Sequence, residues 1–119
     1  MKAIGVDIVE NQRVKAMLDK HGTRFLNRVY SEQELAYCQG RIQSLAARWA
    51  AKEAMSKAFG TGIGDMAFKE IEVVNDSRGK PNLVLHGNAK MMAQERGFHN
   101  IEISLSHTDD YAVAFVVAD

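Results

Sequence analysis

The stretch Arg48-Trp49-Ala50-Ala51-Lys52-Glu53-Ala54-Met55-Ser56-Lys57-Ala58 constrains the fold more than any other part of the chain. It lies in a run from Ile42 to Phe59 that has neither Gly nor Pro, and its alanines favour a helix interior. Alanine side chains let neighbouring backbones come close, so the spacing predicts a central helix. Glu53 and Lys57 stand one turn apart on one flank. A central helix that carries a carboxylate and three cations, Arg48, Lys52 and Lys57, needs a reason. Either Glu53 and Lys57 form a solvated i,i+4 pair worth about 0.2–0.5 kcal/mol, or the helix faces a metal and a phosphate.

Around this helix the pattern is strand, helices, then an antiparallel sheet with one more helix. Residues 2–9 read as a short β-branched strand interrupted by Asp7. A helix starts near Glu10, with Val14, Met17 and Leu18 on its apolar face and Arg13, Lys15 and Lys20 on its basic one, and Gly22 stops it. Residues 24–29 form a short helical turn. Ser31-Glu32-Gln33-Glu34 is a capping-box pattern that opens a helix to about Gln39. Gly40 breaks it, and the long helix follows. Strands are expected at 71–74, 82–86, 101–106 and 111–117, and a helix at 87–96. This is an α+β domain, an antiparallel sheet packed against a long central helix and shorter helices, in one unit over residues 1–119. The last strand is apolar on both faces, which favours a symmetric homo-oligomer.

Composition narrows the function classes. The chain has 15 basic and 15 acidic residues, so wholesale electrostatic capture of nucleic acid is excluded. No apolar run reaches the length of a membrane span. The single Cys38 excludes an internal disulfide framework, and with no signal-like segment at Met1 the expectation is a cytoplasmic protein. Charge is unevenly placed. Residues 11–30 hold Arg13, Lys15, Lys20, Arg24 and Arg28 against Asp19 alone. That segment is either a solvated helix face or a docking surface for an acidic partner.

Four constellations carry chemistry. Asp7, in an apolar strand, either caps the following helix through Asp7-Ile8-Val9-Glu10 or holds a metal. With Glu53 it makes two carboxylates from separate elements and no His or Cys cluster, a donor set for a hard cation such as Mg²⁺ rather than zinc. Arg48, Lys57 and Lys80, with Gly60-Thr61-Gly62-Ile63-Gly64, suit phosphate oxygens. The glycine run follows a helix and lacks a closing Gly-Lys-Ser, so it is no Walker loop. His107, at a strand end, is either a surface residue or a catalytic one. No serine–histidine–carboxylate arrangement is supportable.

Taken in order, Gly5-Val6-Asp7-Ile8-Val9-Glu10, then Arg48 to Ala58, the Phe-Gly-Thr-Gly-Ile-Gly sequel, Gly79-Lys80-Pro81 and Ser106-His107-Thr108, the chain resembles the phosphopantetheinyl transferases in their small single-domain form. The resemblance covers the whole chain. It implies that Asp7 and Glu53 are Mg²⁺ ligands and that Lys57 meets the pyrophosphate of coenzyme A. Arg48, His107 and Thr108 would contact the coenzyme, including its ribose phosphate. Gly60, Lys80 and Pro81 would flank the nucleotide. Arg13, with Met17, Arg24 and Arg28, would dock an acidic acyl carrier protein. It further implies trimers with a site at each subunit interface. Two features depart from the family: the connector from Gln39 to Ala46 is shorter than in many relatives, and Trp49 stands where Phe is commoner.

The activity so implied is Mg²⁺-dependent transfer of 4'-phosphopantetheine from coenzyme A to a carrier serine, releasing adenosine 3',5'-bisphosphate. Asp7, Glu53 and Lys57 are the expected catalytic set, with Glu53 first and His107 second as the base. Two other classes compete: a Mg²⁺-dependent pyrophosphate hydrolase acting on coenzyme A or a nucleotide, and a non-catalytic coenzyme-binding module.

Overall fold

A computed structural model describes residues 2–61 and 66–119. The elements run β1 (Ala3–Glu10), α1 (Asn11–His21), α2 (Thr23–Val29), α3 (Glu32–Cys38), α4 (Ile42–Phe59), a 3-10 turn (Phe68–Glu70), β2 (Ile71–Asn75), β3 (Pro81–Leu85), α5 (Gly87–Glu95), β4 (Ile101–His107) and β5 (Tyr111–Ala118). The architecture is α+β, and every predicted element is present within a residue or two of its expected bounds. The 3-10 turn was not predicted. The part of the glycine loop at Gly62-Ile63-Gly64 lies outside the described residues.

Local chemistry sets the boundaries. Gly22 adopts φ 57°, which ends α1 and turns the chain into α2. The capping box forms: Ser31 Oγ accepts the Glu34 N–H at 3.1 Å, and Glu34 Oε1 accepts the Ser31 N–H at 2.9 Å. Gly60, at φ 81°, closes α4 by donating its N–H to the Lys57 carbonyl at 2.9 Å.

The sheet that carries the site has the order β1-β5-β4, all antiparallel. β2 and β3 form a separate antiparallel pair. Helix α4 lies across β1 and β5. Small residues make this close: Ala50, Ala51, Ala54 and Ala58 on the helix meet Gly5, Ala112 and Ala114 on the sheet, and all are buried. A Cβ at Gly5 would overlap the Ala54 carbonyl oxygen. Leu45 and Met55, at 1% and 0% exposure, add burial worth about 1.5–3 kcal/mol each.

The other flank of α4 is polar inside. Lys52 is fully buried and donates to Glu34 Oε1 at 2.9 Å, to the Phe68 carbonyl at 3.1 Å and to the Ile71 carbonyl. The second Glu34 oxygen accepts the Val73 N–H at 3.0 Å. One lysine thereby ties α4 to α3, the 3-10 turn and β2, with its three donors satisfied.

The sheet's outer face stays open. Ile4, Val6 and Ile8 are 64%, 53% and 64% exposed, and Tyr111 and Phe115 on the next strand are 48% and 44% exposed. Among the described residues no helix is long and apolar enough to cross a membrane.

Candidate active site

Asp7 sits in β1 opposite the buried Ala114, on the face turned toward α4. It does not cap α1. That helix begins after Glu10, and no side chain caps it. Asp7 Oδ1 instead receives Lys57 Nζ at 2.9 Å, across 50 residues of sequence. Lys57 also donates to the Val6 carbonyl at 3.2 Å. The ion pair of Lys57 is thus with the strand, not with Glu53 one turn before it.

Glu53 shares this corner. Burial pushes its carboxyl above the ordinary carboxylate range, and the charge of Asp7 pushes it further, while Lys57 and Arg13 pull it down. The charge of Asp7 thus raises the cost of ionising Glu53, which brings two carboxylates of separate elements to one corner. Arg13, read from the sequence only as a docking residue, therefore also acts electrostatically on Glu53.

Arg48 lies elsewhere. Five residues separate it from Glu53, which is roughly 140° around a helix of 3.6 residues per turn. It is 4% exposed and stacks over the Tyr37 ring at 4.2 Å. Its Nη2 donates to Asn75 Oδ1 at 2.6 Å and its Nη1 to the Ser44 carbonyl at 3.2 Å, while Nε is buried with no partner among the described residues. Asn75 Nδ2 in turn donates to the Gly79 carbonyl at 3.0 Å, so Arg48 is linked to the Gly79-Lys80-Pro81 turn. Asp76 Oδ1 shapes that turn by accepting the N–H groups of Arg78 and Lys80 at 2.8 and 2.9 Å. Lys80 is exposed, 3.7 Å from Glu102.

His107 and Thr108 form a third group. Thr108 Oγ1 accepts the N–H groups of Asp110 and Tyr111 at 3.2 and 3.0 Å. Gln43, at the start of α4, reaches Asp109 Oδ1 at 3.4 Å. Gln43 and Glu53 are ten residues apart, roughly 15 Å along the helix. Within one chain, then, the acids, the Arg48–Lys80 group and the His107 turn occupy three separate places.

The basic segment frames a groove. Met17, Arg24 and Arg28 line a cleft of about 340 Å³ with Phe25, Trp49 and Phe68. Trp49 stacks on Phe68 at 4.9 Å, so an aromatic other than Phe is absorbed by packing. Gly60 lies at the far end of α4, beyond Lys57.

Tyr37, Asn75 and Asp76 were missed as supporting residues. Only Asp76 had a local signal, the Asp-Ser-Arg-Gly turn. The others act across long sequence separations.

Residues 3–116 match the model of the 4'-phosphopantetheinyl transferase superfamily. The chain belongs to this superfamily. A holo-[acyl-carrier-protein] synthase of Halothermothrix orenii is 46% identical over 122 residues, covering 100% of this chain and 98% of that protein. One from Herpetosiphon aurantiacus is 47% identical, with 98% of each covered. Among solved structures, the Helicobacter pylori holo-[acyl-carrier-protein] synthase in complex with coenzyme A superposes with a TM-score of 0.90 at 31% identity, covering 98% of this chain and 99% of that one. The phosphopantetheinyl transferase relatives therefore share both the sequence pattern and the whole α+β fold.

Proposed function

We propose that this chain transfers 4'-phosphopantetheine from coenzyme A to a serine hydroxyl of an acyl carrier protein, with Mg²⁺ at Asp7 and Glu53 and adenosine 3',5'-bisphosphate as the released product. The observation that carries the reading is the corner where the charge of Asp7 disfavours that of Glu53, with Lys57 paired to Asp7. Their hard oxygen donors fit Mg²⁺, which when bound neutralises diphosphate charge. Lys57 offers a second cation to the same oxygens. Glu53, directly or through a water, would accept the proton of the attacking serine. The serine oxygen bonds to the phosphorus bearing the pantetheine arm. The diphosphate P–O bond breaks, and the nucleotide leaves with the electron pair.

The coenzyme site is shared between copies, in a homotrimer. Arg48 and Lys80 lie around α4 from Glu53, and the apolar outer sheet face supports self-association. Arg13, Arg24 and Arg28 beside the Met17 groove receive an acidic carrier protein. Gly60 and Pro81 flank the nucleotide, and His107 and Thr108 contact its ribose phosphate. The same reading places this single-domain enzyme in the cytoplasm.

The test is incubation with coenzyme A, Mg²⁺ and an apo carrier protein, followed by mass spectrometry. The expected result is a gain of about 340 Da on the carrier that requires the metal. Cleaved coenzyme A with an unmodified carrier would make the protein a hydrolase instead. Bound but intact coenzyme would make it a binding module.

A further inference from the structure

One residue holds the turn between β4 and β5. Asn11 donates its backbone N–H to the Asp110 carbonyl at 2.8 Å. Its Nδ2 donates to the carbonyls of Thr108 and Asp109 at 2.9 and 3.0 Å. Three consecutive carbonyls of one turn converge on a single asparagine. Asn11 is 4% exposed, and its own Oδ1 is buried with no partner among the described residues. Leaving a buried acceptor unpaired is costly, so the two carbonyls decide which way the amide faces.

The backbone bond alone would attach the turn to α1. Within the turn, Thr108 donates its N–H to the Tyr111 carbonyl at 2.8 Å and its Oγ1 accepts the N–H groups of Asp110 and Tyr111, but the carbonyls of Thr108 and Asp109 are met by the Asn11 amide. The side-chain amide therefore acts with Thr108 on the shape of the turn, not only on its attachment. That shape sets where the exposed His107 and Thr108 project.

We propose that Asn11 is a positioning residue for coenzyme binding, holding His107 and Thr108 in the arrangement that meets the nucleotide's ribose phosphate. This rests on the function proposed above. No property of α1 itself calls for the amide: Asn11 caps nothing with its side chain, and its apolar neighbour Val14 anchors the helix.

The experiment compares Asn11→Leu and Asn11→Asp in steady-state transfer assays. Leucine keeps the branched four-atom side chain, slightly enlarged, and removes both donors. Aspartate keeps the shape and sets an oxygen against two carbonyl oxygens. Both keep the backbone N–H. The KM for coenzyme A should rise about tenfold in Asn11→Leu, as for a lost hydrogen-bond donor, and further in Asn11→Asp. Both kcat and the KM for the carrier should stay within about twofold. With 3'-dephospho-coenzyme A, wild type and Asn11→Leu should agree within about twofold, because the contact at stake is absent. A loss of melting temperature with an unchanged coenzyme KM would make Asn11 merely structural and overturn the proposal. If Asn11→Leu does not fold, Asn11→Ser, smaller and with a donor too short to reach both carbonyls, carries the same comparison. His107→Ala is measured alongside. A raised coenzyme KM there, with none in the Asn11 variants, defeats only this inference. No change in His107→Ala defeats the assignment of the turn to the coenzyme as well.

Discussion

Glu53 is the residue on which the proposed metal and the proposed chemistry meet. Its carboxyl is held above its ordinary range first by burial and then by Asp7. A carboxyl with a raised folded-state pKa favours the fold while it is protonated, and that contribution is lost as pH rises through the folded value. At neutral pH the ionised Glu53 therefore weakens the metal-free protein. Glu53→Gln should melt higher than wild type at neutral pH without metal, and the gap should close as pH falls below the ordinary carboxylate range. Mg²⁺ should reverse the order by raising the wild-type melting temperature and leaving the variant unmoved. The metal effect should fade on acidification, because protons compete for the same oxygens. Transfer should be lost in the variant with its circular dichroism intact. A variant as active as wild type would remove Glu53 from the chemistry.

Helix α4 joins the two halves of the molecule. One flank lies on the sheet through small residues, and the other is tied by Lys52. Burial lowers the pKa of Lys52, and the Glu34 charge opposes this. A buried pair of this kind is costly to break from one side only. Lys52→Met should destabilise by about 3–5 kcal/mol because Glu34 is left charged and unpaired. Lys52→Met with Glu34→Gln should recover most of that loss in urea unfolding. Equal losses in the single and double variants would mean that packing, not charge pairing, sets the cost. This element also shows what the sequence could and could not say. The capping box at Ser31 and Glu34 is local, and it was legible. The bonds from Glu34 to Lys52 and Val73 span 18 and 39 residues, and no local pattern announces them. Helix α4 is buried on most sides, so a polar stripe that would separate surface cations from interior ones is missing. Arg48 and Lys52 read alike with Lys57 for that reason, yet only Lys57 is half-exposed. Asp7 and Glu53 were legible as a pair because an acid is conspicuous in an apolar strand and in an alanine-rich helix.

At the scale of the whole molecule, the arrangement around α4 is the reason for proposing a site shared between copies. The acids and Lys57 stand on one side, Arg48 and the Lys80 turn on another, and the His107 turn near the helix start. In the proposed arrangement one coenzyme meets these groups on neighbouring copies. The exposed Ile4, Val6, Ile8, Tyr111 and Phe115 offer a face on which copies can meet. If each site takes its acids from one subunit and Lys80 from the next, two inactive variants should repair each other. Glu53→Gln lacks the acid, and Lys80→Glu reverses an exposed cation whose only close ionic neighbour among the described residues is Glu102. After joint unfolding and refolding at equal concentrations, about a quarter of the interfaces should pair an intact acid with an intact lysine in a closed ring. Transfer activity should then return to roughly that fraction of wild type, against almost none for either variant alone. Mixing without refolding should restore activity only as fast as subunits exchange. A mixture no more active than its components would place the acids and Lys80 of each site on the same chain, and the shared-site arrangement would have to be abandoned.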